Sequence, residues 1–269
     1  MKKQLLCAVF AVLLILPATS CAEKDAEETT SPETPVAEVL ATEAVTEHVF
    51  DKSIFQTNEN GFLTYSDGQV YSLKGIDVSS YSGDIDWEKV ASSGIEFAMI
   101  RLGGRGYGDS GTLYTDANAR RNIDGAKQNG IQVGGYFFSQ ATSADEAAEE
   151  AEYALDIVGD DKLNLPIAYD FEHIKDDDAR TDDVTDEDIQ KFADVFGQVM
   201  LENGYEPMVY GEDEEFSAIY KESDMLRWIA EYDETPAIDN GVKIWQYSKD
   251  GTVDGISGSV DLNIMFMER

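Results

Sequence analysis

The feature that most constrains the fold of this chain is an alternation that runs through most of its length. Short apolar runs with strand character recur at Gly75-Ile76-Asp77-Val78, Phe97 to Arg101, Val133 to Phe138 and Pro166 to Asp170. Further runs follow at Pro207 to Tyr210, Arg227 to Ala230, Lys243 to Tyr247 and Asp261 to Met265, giving eight in all. Segments with helical character separate the first five, at about 87–92, 115–129, 144–158 and 186–203. Thr142-Ser143 ahead of Asp145-Glu146, and Thr185 ahead of Asp186-Glu187-Asp188, supply helix N-caps and negative charge at helix starts. Gly130 and Gly204 stand where helix-ending glycines belong. Strand alternating with helix predicts an α/β fold with parallel pairing. The last three strands have far less helix between them, which suits a closed or nearly closed TIM-like (β/α) barrel. An open doubly wound sheet is the alternative architecture.

Ahead of this domain the composition changes twice. Met1-Lys2-Lys3 followed by the apolar stretch Leu5 to Leu16 reads as a signal segment, because a bilayer-spanning helix needs about 20 residues. Leu16-Pro17-Ala18-Thr19-Ser20-Cys21 resembles a bacterial lipobox, in which small residues precede a cysteine that becomes lipidated, although Ala18 stands where that motif usually has Leu. On this reading 1–20 is a lipoprotein signal and Cys21 carries the lipid; ordinary secretory cleavage nearby is the other reading. Cys7 would leave with the signal, so the mature fold relies on no disulfide. Residues 21–49, rich in Glu, Thr, Ala and Pro, bury too little apolar area to offset ordering entropy and are expected to form a disordered spacer. Residues 50–73 are expected to hold a β-hairpin, with Gly61 to Tyr65 and Gln69 to Leu73 flanking an Asp67-Gly68 turn. The barrel domain is then 74–269.

Side chains at the C-terminal ends of parallel barrel strands converge on one face. Asp77, Asp170, Glu172 and Asp261 lie late in, or beside, such strands, as do Tyr136, Tyr210, Trp245 and Tyr247. Asp170-Phe171-Glu172 is the most informative piece. Residues i and i+2 of a strand face the same side, about 6.5 to 7 Å apart at Cα. Two carboxyls so placed shift each other's titration, one holding its proton while the other ionises. Glycoside hydrolysis needs such a pair. In a chain with 54 acidic residues a bare Asp-x-Glu means little, and the bland reading is a pair of solvated acids before Lys175-Asp176-Asp177-Asp178. Its position directly after an apolar strand favours the functional reading.

Several segments, taken in order, resemble glycoside hydrolase family 25, the N-acetylmuramidase-type lysozymes. They are Gly75-Ile76-Asp77-Val78-Ser79-Ser80-Tyr81, Asp86-Trp87, Phe97 to Arg101, Asp116 through Asn122 with Ala126, and Gly130 to Phe138. Asp170-Phe171-Glu172, Trp245-Gln246-Tyr247-Ser248, Gly255-Ile256 and Val260-Asp261-Leu262-Asn263 continue the likeness. The resemblance implies a barrel of eight strands and about five helices that cleaves the β-1,4 bond between N-acetylmuramic acid and N-acetylglucosamine in peptidoglycan. It implies Glu172 as general acid and Asp170 as its partner, either nucleophile or orienter of the substrate's acetamido group. Asp77 and Asp261 would shape the field, and Tyr136, Tyr210, Trp245, Tyr247 and Arg101 would bind sugar. One departure is visible: Phe137 stands where the family commonly has His, and Phe137 and Phe138 also read as core. A non-catalytic peptidoglycan-binding lipoprotein with a degenerate cleft is the rival function.

Other chemistries find little footing. The formal net charge of -34 argues against nucleic-acid partners and against adhesion to anionic lipid, leaving a lipid on Cys21 as the membrane contact. Gly103-Gly104-Arg105-Gly106-Tyr107-Gly108 looks like a dinucleotide loop, but Asp109-Ser110-Gly111 follows where a helix should start. His48 and His173 are the two histidines, too few for a His-rich metal site. The expectation is a monomer, without cofactor or metal, outside the cytoplasm and anchored to a bacterial membrane or secreted.

Overall fold

The computed structural model describes residues 48, 50–175, 177–220, 223–232 and 241–269. The expected signal segment, Cys21 and the spacer up to residue 47 lie outside the described residues. Eight strands close a barrel: β3 (Val70–Val78), β4 (Phe97–Arg105), β6 (Gln132–Ser139), β7 (Ile167–Phe171), β8 (Met208–Glu212), β9 (Leu226–Ala230), β10 (Val242–Gly251) and β11 (Val260–Glu268). Neighbours follow the order β3-β11-β10-β9-β8-β7-β6-β4, and a β3–β4 pairing shuts the ring. All eight expected strands are present, and the open-sheet alternative is excluded by that closure.

The pairing corrects one expectation. Among the eight barrel strands the pairings from β3 through β4, β6, β7, β8 and β9 to β10 are parallel, but β11 runs antiparallel to both β10 and β3. A parallel return needs a crossover of a dozen or more residues, whereas residues 252–259 suffice only for a hairpin connection. The reversal brings the start of β11, not its end, to the barrel mouth, and pairs Asp261 with Asp77.

Alternation along the strands builds two cores. Phe97, Met99, Ala168, Met208, Trp228, Ile244 and Met265 fill the barrel interior. Ile76, Ala98, Ile100, Val133, Ile167, Tyr169, Ile229 and Ile264 face outward into a larger cluster. Gly75 is required by this packing: a Cβ there would sit 2.2 Å from the ring of Phe97, which plugs the barrel. The helices α1 (Trp87–Ser92), α2 (Ala119–Gln128), α3 (Ala144–Val158), α4 (Asp186–Glu202) and α5 (Asp213–Ala218) follow their strands. Ser143 and Thr185 cap α3 and α4 as their sequence positions suggest, accepting from Glu146 N–H at 3.2 Å and Asp188 N–H at 3.2 Å. The second helix starts later than expected, because Leu113–Thr115 form a short strand, β5, antiparallel to the end of β4.

The outer face of β10 and β11 is covered by the lead-in rather than by a helix. Phe50 packs on Phe266 with ring centroids 4.3 Å apart, and Phe55 on Trp245 at 5.6 Å. The lead-in also holds a two-stranded sheet, β1 (Gln56–Thr57) with β2 (Leu63–Thr64). The Asp67-Gly68 turn is present, with Asp67 accepting from the Gln69 and Val70 N–H groups at 2.9 and 2.8 Å. Its second arm is not a separate hairpin strand, however, because residues 70–73 are the first half of β3.

Candidate active site

The strand ends open onto a cavity of about 430 Å³. Asp77, Asp170, Glu172, Asp261, Tyr136, Tyr210 and Arg101, all expected site residues from distant parts of the chain, line it together. They converge because each occupies an inward-facing position at the mouth end of its strand, or just beyond that end.

Asp77 and Asp261 form one half of the acid cluster. Asp77 is buried, and its Oδ2 accepts from Gln246 Nε2 at 2.7 Å and from Asn263 Nδ2 at 2.8 Å. Burial raises the Asp77 carboxyl and the two amide donors oppose the rise. Asp261 is raised to about 8, by burial first and then by the charge of Asp77, to which it is hydrogen-bonded. Two amides stabilise charge on Asp77, and the hydrogen bond between the two carboxyls lowers Asp77 while it raises Asp261, so the proton they share is held on Asp261.

Asp170 and Glu172 form the other half, across the mouth. Asp170 is 3% exposed, and burial, then the charge of Glu172, pushes it well above the usual carboxylate range while Arg101 opposes the shift. Its Oδ1 is buried without a hydrogen-bond partner among the described residues. Glu172 stands at the rim, raised by desolvation within the cleft and lowered by Arg101. Arg101, on β4, acts on both acids through its charge, while it donates to the Tyr114 hydroxyl at 2.7 Å and lies 4.9 Å from the Phe138 ring centre. The buried Gln140 donates through Nε2 to the Glu172 carbonyl at 2.9 Å and accepts from Thr181 Oγ1 at 2.9 Å, fixing the backbone that presents the acid. A deep and a rim carboxyl, both raised and flanked by one guanidinium, can donate a proton to a leaving oxygen and stabilise the positive centre left behind.

The model of the glycosyl hydrolases family 25 matches residues 76–256, most of the barrel and all of these acids except Asp261. The chain belongs to glycosyl hydrolase family 25. Among its relatives, this family 25 chain is 31% identical over 198 residues to the autolytic lysozyme of Clostridium acetobutylicum, covering 71% of itself and 55% of that protein. It is 26% identical over 215 residues to Lysozyme M1 of Streptomyces globisporus, covering 71% of itself and 67% of the relative. A solved bacterial lysozyme from Streptomyces coelicolor superposes with TM-score 0.58 at 25% identity, over 71% of this chain and 90% of that one. The modular autolysin LytC of Streptococcus pneumoniae, solved with a synthetic peptidoglycan ligand, shares the fold at TM-score 0.65 and 23% identity, over 79% of this chain and 52% of LytC. The chain thus spans about half the length of the first of these relatives and of LytC.

Two residues expected to bind sugar in this family 25 barrel do not line the cavity. Trp245 is 2% exposed on the outer face, where its Nε1 donates to the Glu231 carbonyl at 2.8 Å and its ring meets Phe55. Tyr247 lies beside it, its hydroxyl accepting from Leu63 N–H at 3.2 Å. The inward position between them belongs to Gln246, as the twofold period of a strand requires. Phe137 likewise faces outward, fully buried at 6.2 Å from the Tyr153 ring of α3, so the departure from the family's His lies outside the cleft. Its neighbour Phe138, also read as core, lines the cavity instead.

Several lining residues were not anticipated. Trp228 stacks edge-on against Tyr136 at 5.6 Å and Tyr210 at 4.7 Å, and its Nε1 donates to Asn263 Oδ1 at 2.8 Å. Gln246 accepts at Oε1 from the Tyr210 and Tyr232 hydroxyls, at 3.1 and 2.7 Å, while donating to Asp77. The alternation of Ile244 and Gln246 with Trp245 carried the signal for Gln246. Tyr232 and Tyr107 sit in loops, where no periodicity marks them.

Proposed function

We propose that this chain is an N-acetylmuramidase that cleaves the β-1,4 bond between N-acetylmuramic acid and N-acetylglucosamine in peptidoglycan glycan strands. The observation that carries the reading is the acid pair: Asp170 and Glu172, two residues apart at the end of β7, with raised carboxyls inside one sugar-sized cavity. Family membership and the relatives named autolytic lysozyme and Lysozyme M1 support it. Glu172, at the rim, gives its proton to the departing glycosidic oxygen. Asp170, deep and with Oδ1 unpartnered, accepts the N–H of the substrate's acetamido group. The acetamido oxygen then closes on the anomeric carbon as the C–O bond breaks, and water activated by Glu172 reopens the ring. The Asp77–Asp261 pair sets the negative field opposite.

Digestion of purified peptidoglycan tests this. The wild-type chain releases new reducing ends at muramic acid, and Glu172→Gln releases none. Retained binding without release in the wild type would instead identify a non-catalytic glycan-binding protein. We further propose that the chain is held outside the cytoplasm by a lipid on Cys21. Detergent-phase partitioning that persists in Cys21→Ala would refute the anchor.

A further inference from the structure

We propose that the β4–β5 hairpin is an outer sugar subsite, with the Tyr107 ring as its platform for a glycan unit beyond those flanking the cleaved bond. The proposal rests on the muramidase reading and gives the Gly103 to Gly108 motif a role in substrate binding.

The two halves of that motif do different work. Gly103 and Gly104 allow β5 to approach closely: a Cβ at Gly103 would lie 2.2 Å from the Tyr114 carbonyl oxygen, and one at Gly104 would lie 2.6 Å from the Tyr114 hydroxyl. Arg105 lines the cavity, is 4% exposed and sends its guanidinium to α3. Its Nε donates to Glu150 at 2.8 Å, Nη2 to Glu149 at 2.7 Å, and Nη1 to the Gly111 carbonyl across the hairpin at 2.8 Å. Glu150 is itself buried and takes a further hydrogen bond from Ser139 Oγ at 2.6 Å. A second arginine closes the structure from the other side. Arg180 N–H donates to the Tyr107 carbonyl at 2.9 Å, and its guanidinium packs so closely on Gly111, at φ +51°, that a Cβ would meet Nη1 at 2.0 Å. The hairpin backbone is therefore tied both to α3 and to the loop that follows Glu172.

What this anchored hairpin presents is aromatic. Tyr107 is 41% exposed and Tyr114 37%, and both line the cavity. Exposed tyrosines are not scattered over the described surface: Tyr81 and Tyr232, the other two, line the same cavity. Large rings left half in water around one mouth form a stacking surface for the apolar faces of sugars. In the ring of eight strands, β4 and β9 are four places apart, so Tyr107 after β4 and Tyr232 after β9 lie on opposite rims. A glycan strand spanning them crosses the mouth between the Asp170–Glu172 pair and the Asp77–Asp261 pair, and it needs more than two sugars to do so.

Turnover of uncross-linked N-acetylglucosamine–N-acetylmuramic acid oligomers of two, three and four disaccharide units by the full chain tests the subsite. In the wild type kcat/KM rises with length. In Tyr107→Ala the ratio of kcat/KM for the longest to the shortest oligomer falls about two- to tenfold, as expected for one lost ring contact, and Tyr107→Phe keeps the ratio. An equal loss at every length, or none, overturns the subsite. Calorimetric binding of the longest oligomer to Glu172→Gln, with and without Tyr107→Ala, separates the two readings. If the wild type cleaves nothing yet Tyr107→Ala weakens this binding, the muramidase reading fails and the subsite stands. Binding that Tyr107→Ala leaves unchanged ends the subsite.

Discussion

Replacing Gln246 by Glu preserves the shape of the side chain but reverses one hydrogen bond at the hub of the cleft. The wild-type amide donates to Asp77 at 2.7 Å and accepts from the hydroxyls of Tyr210 and Tyr232. A carboxylate in its place would stand beside the charge of Asp77. At an effective dielectric constant near 20, two unit charges about 4 Å apart repel by about 4 kcal/mol. That corresponds to about three pH units, so the new acid titrates near or above neutrality. Below that point it is protonated and still donates to Asp77, imitating the amide. Above it the donor is lost, and with it a charge-assisted hydrogen bond of about 1.5–3 kcal/mol, or about ten- to hundredfold in rate. The expected result for Gln246→Glu is kcat/KM close to wild type at pH 5 and a ratio to wild type that falls by that factor at pH 8. Gln246→Met, which never donates, should lose a similar factor at both pH values. Soluble glycan oligomers at four pH values between 5 and 8, with a melting curve at each, provide the assay. A Gln246→Glu profile parallel to wild type throughout, or a Gln246→Met enzyme without loss, would refute the assignment of Gln246 as the donor that keeps Asp77 charged.

Stability should respond to pH with a definite sign. Glu150 and Asp261 are raised to about 7 and about 8, chiefly by burial, so the native state keeps protons that the unfolded chain releases near pH 4. Between those limits the unfolded state binds fewer protons, and stability falls as pH rises. The urea midpoint is therefore expected to be lower at pH 8 than at pH 5.5, with part of the slope removed in Glu150→Gln; a midpoint constant across the range would count against this. Trp245→Ala should cost about 3–5 kcal/mol in chemical denaturation, since the buried ring packs on Phe55 outside the barrel, and should leave KM for glycan unchanged. Wild-type stability with a raised KM would mean that the ring faces the substrate.

The strands and most helix ends could be read in the sequence, because apolar runs and capping residues are local signals. Ser143 and Thr185 cap as their spacing with Glu146 and Asp188 suggests. The four acids were readable as well, since each is a polar residue next to an otherwise apolar strand. The facing of aromatic residues was not. Barrel strands are buried on both sides, so Lys243 to Tyr247 offers no polar stripe to mark the solvent face, and the late position of Trp245 suggests the inward place that Gln246 takes. Phe138, read with Phe137 as core, lines the cavity for the same reason, while Phe137 is core as expected. The direction of β11 was recoverable in principle from the short 252–259 connection, but the repeat of strand and helix earlier in the chain pointed to parallel pairing. Loop residues such as Tyr107 and Tyr232 reach the mouth through tertiary anchoring, which no period in the sequence records.

The reversed final strand has a mechanical consequence. Val70, where β3 begins, is paired with Glu268, where β11 ends, and Arg269 N–H donates to the Gln69 carbonyl at 3.0 Å. Entry and exit of the barrel therefore share one rung at the floor, the end away from Asp77 and Asp261. A pull on the end of β11 is met first by this rung, at the opposite end of the strands from the four acids.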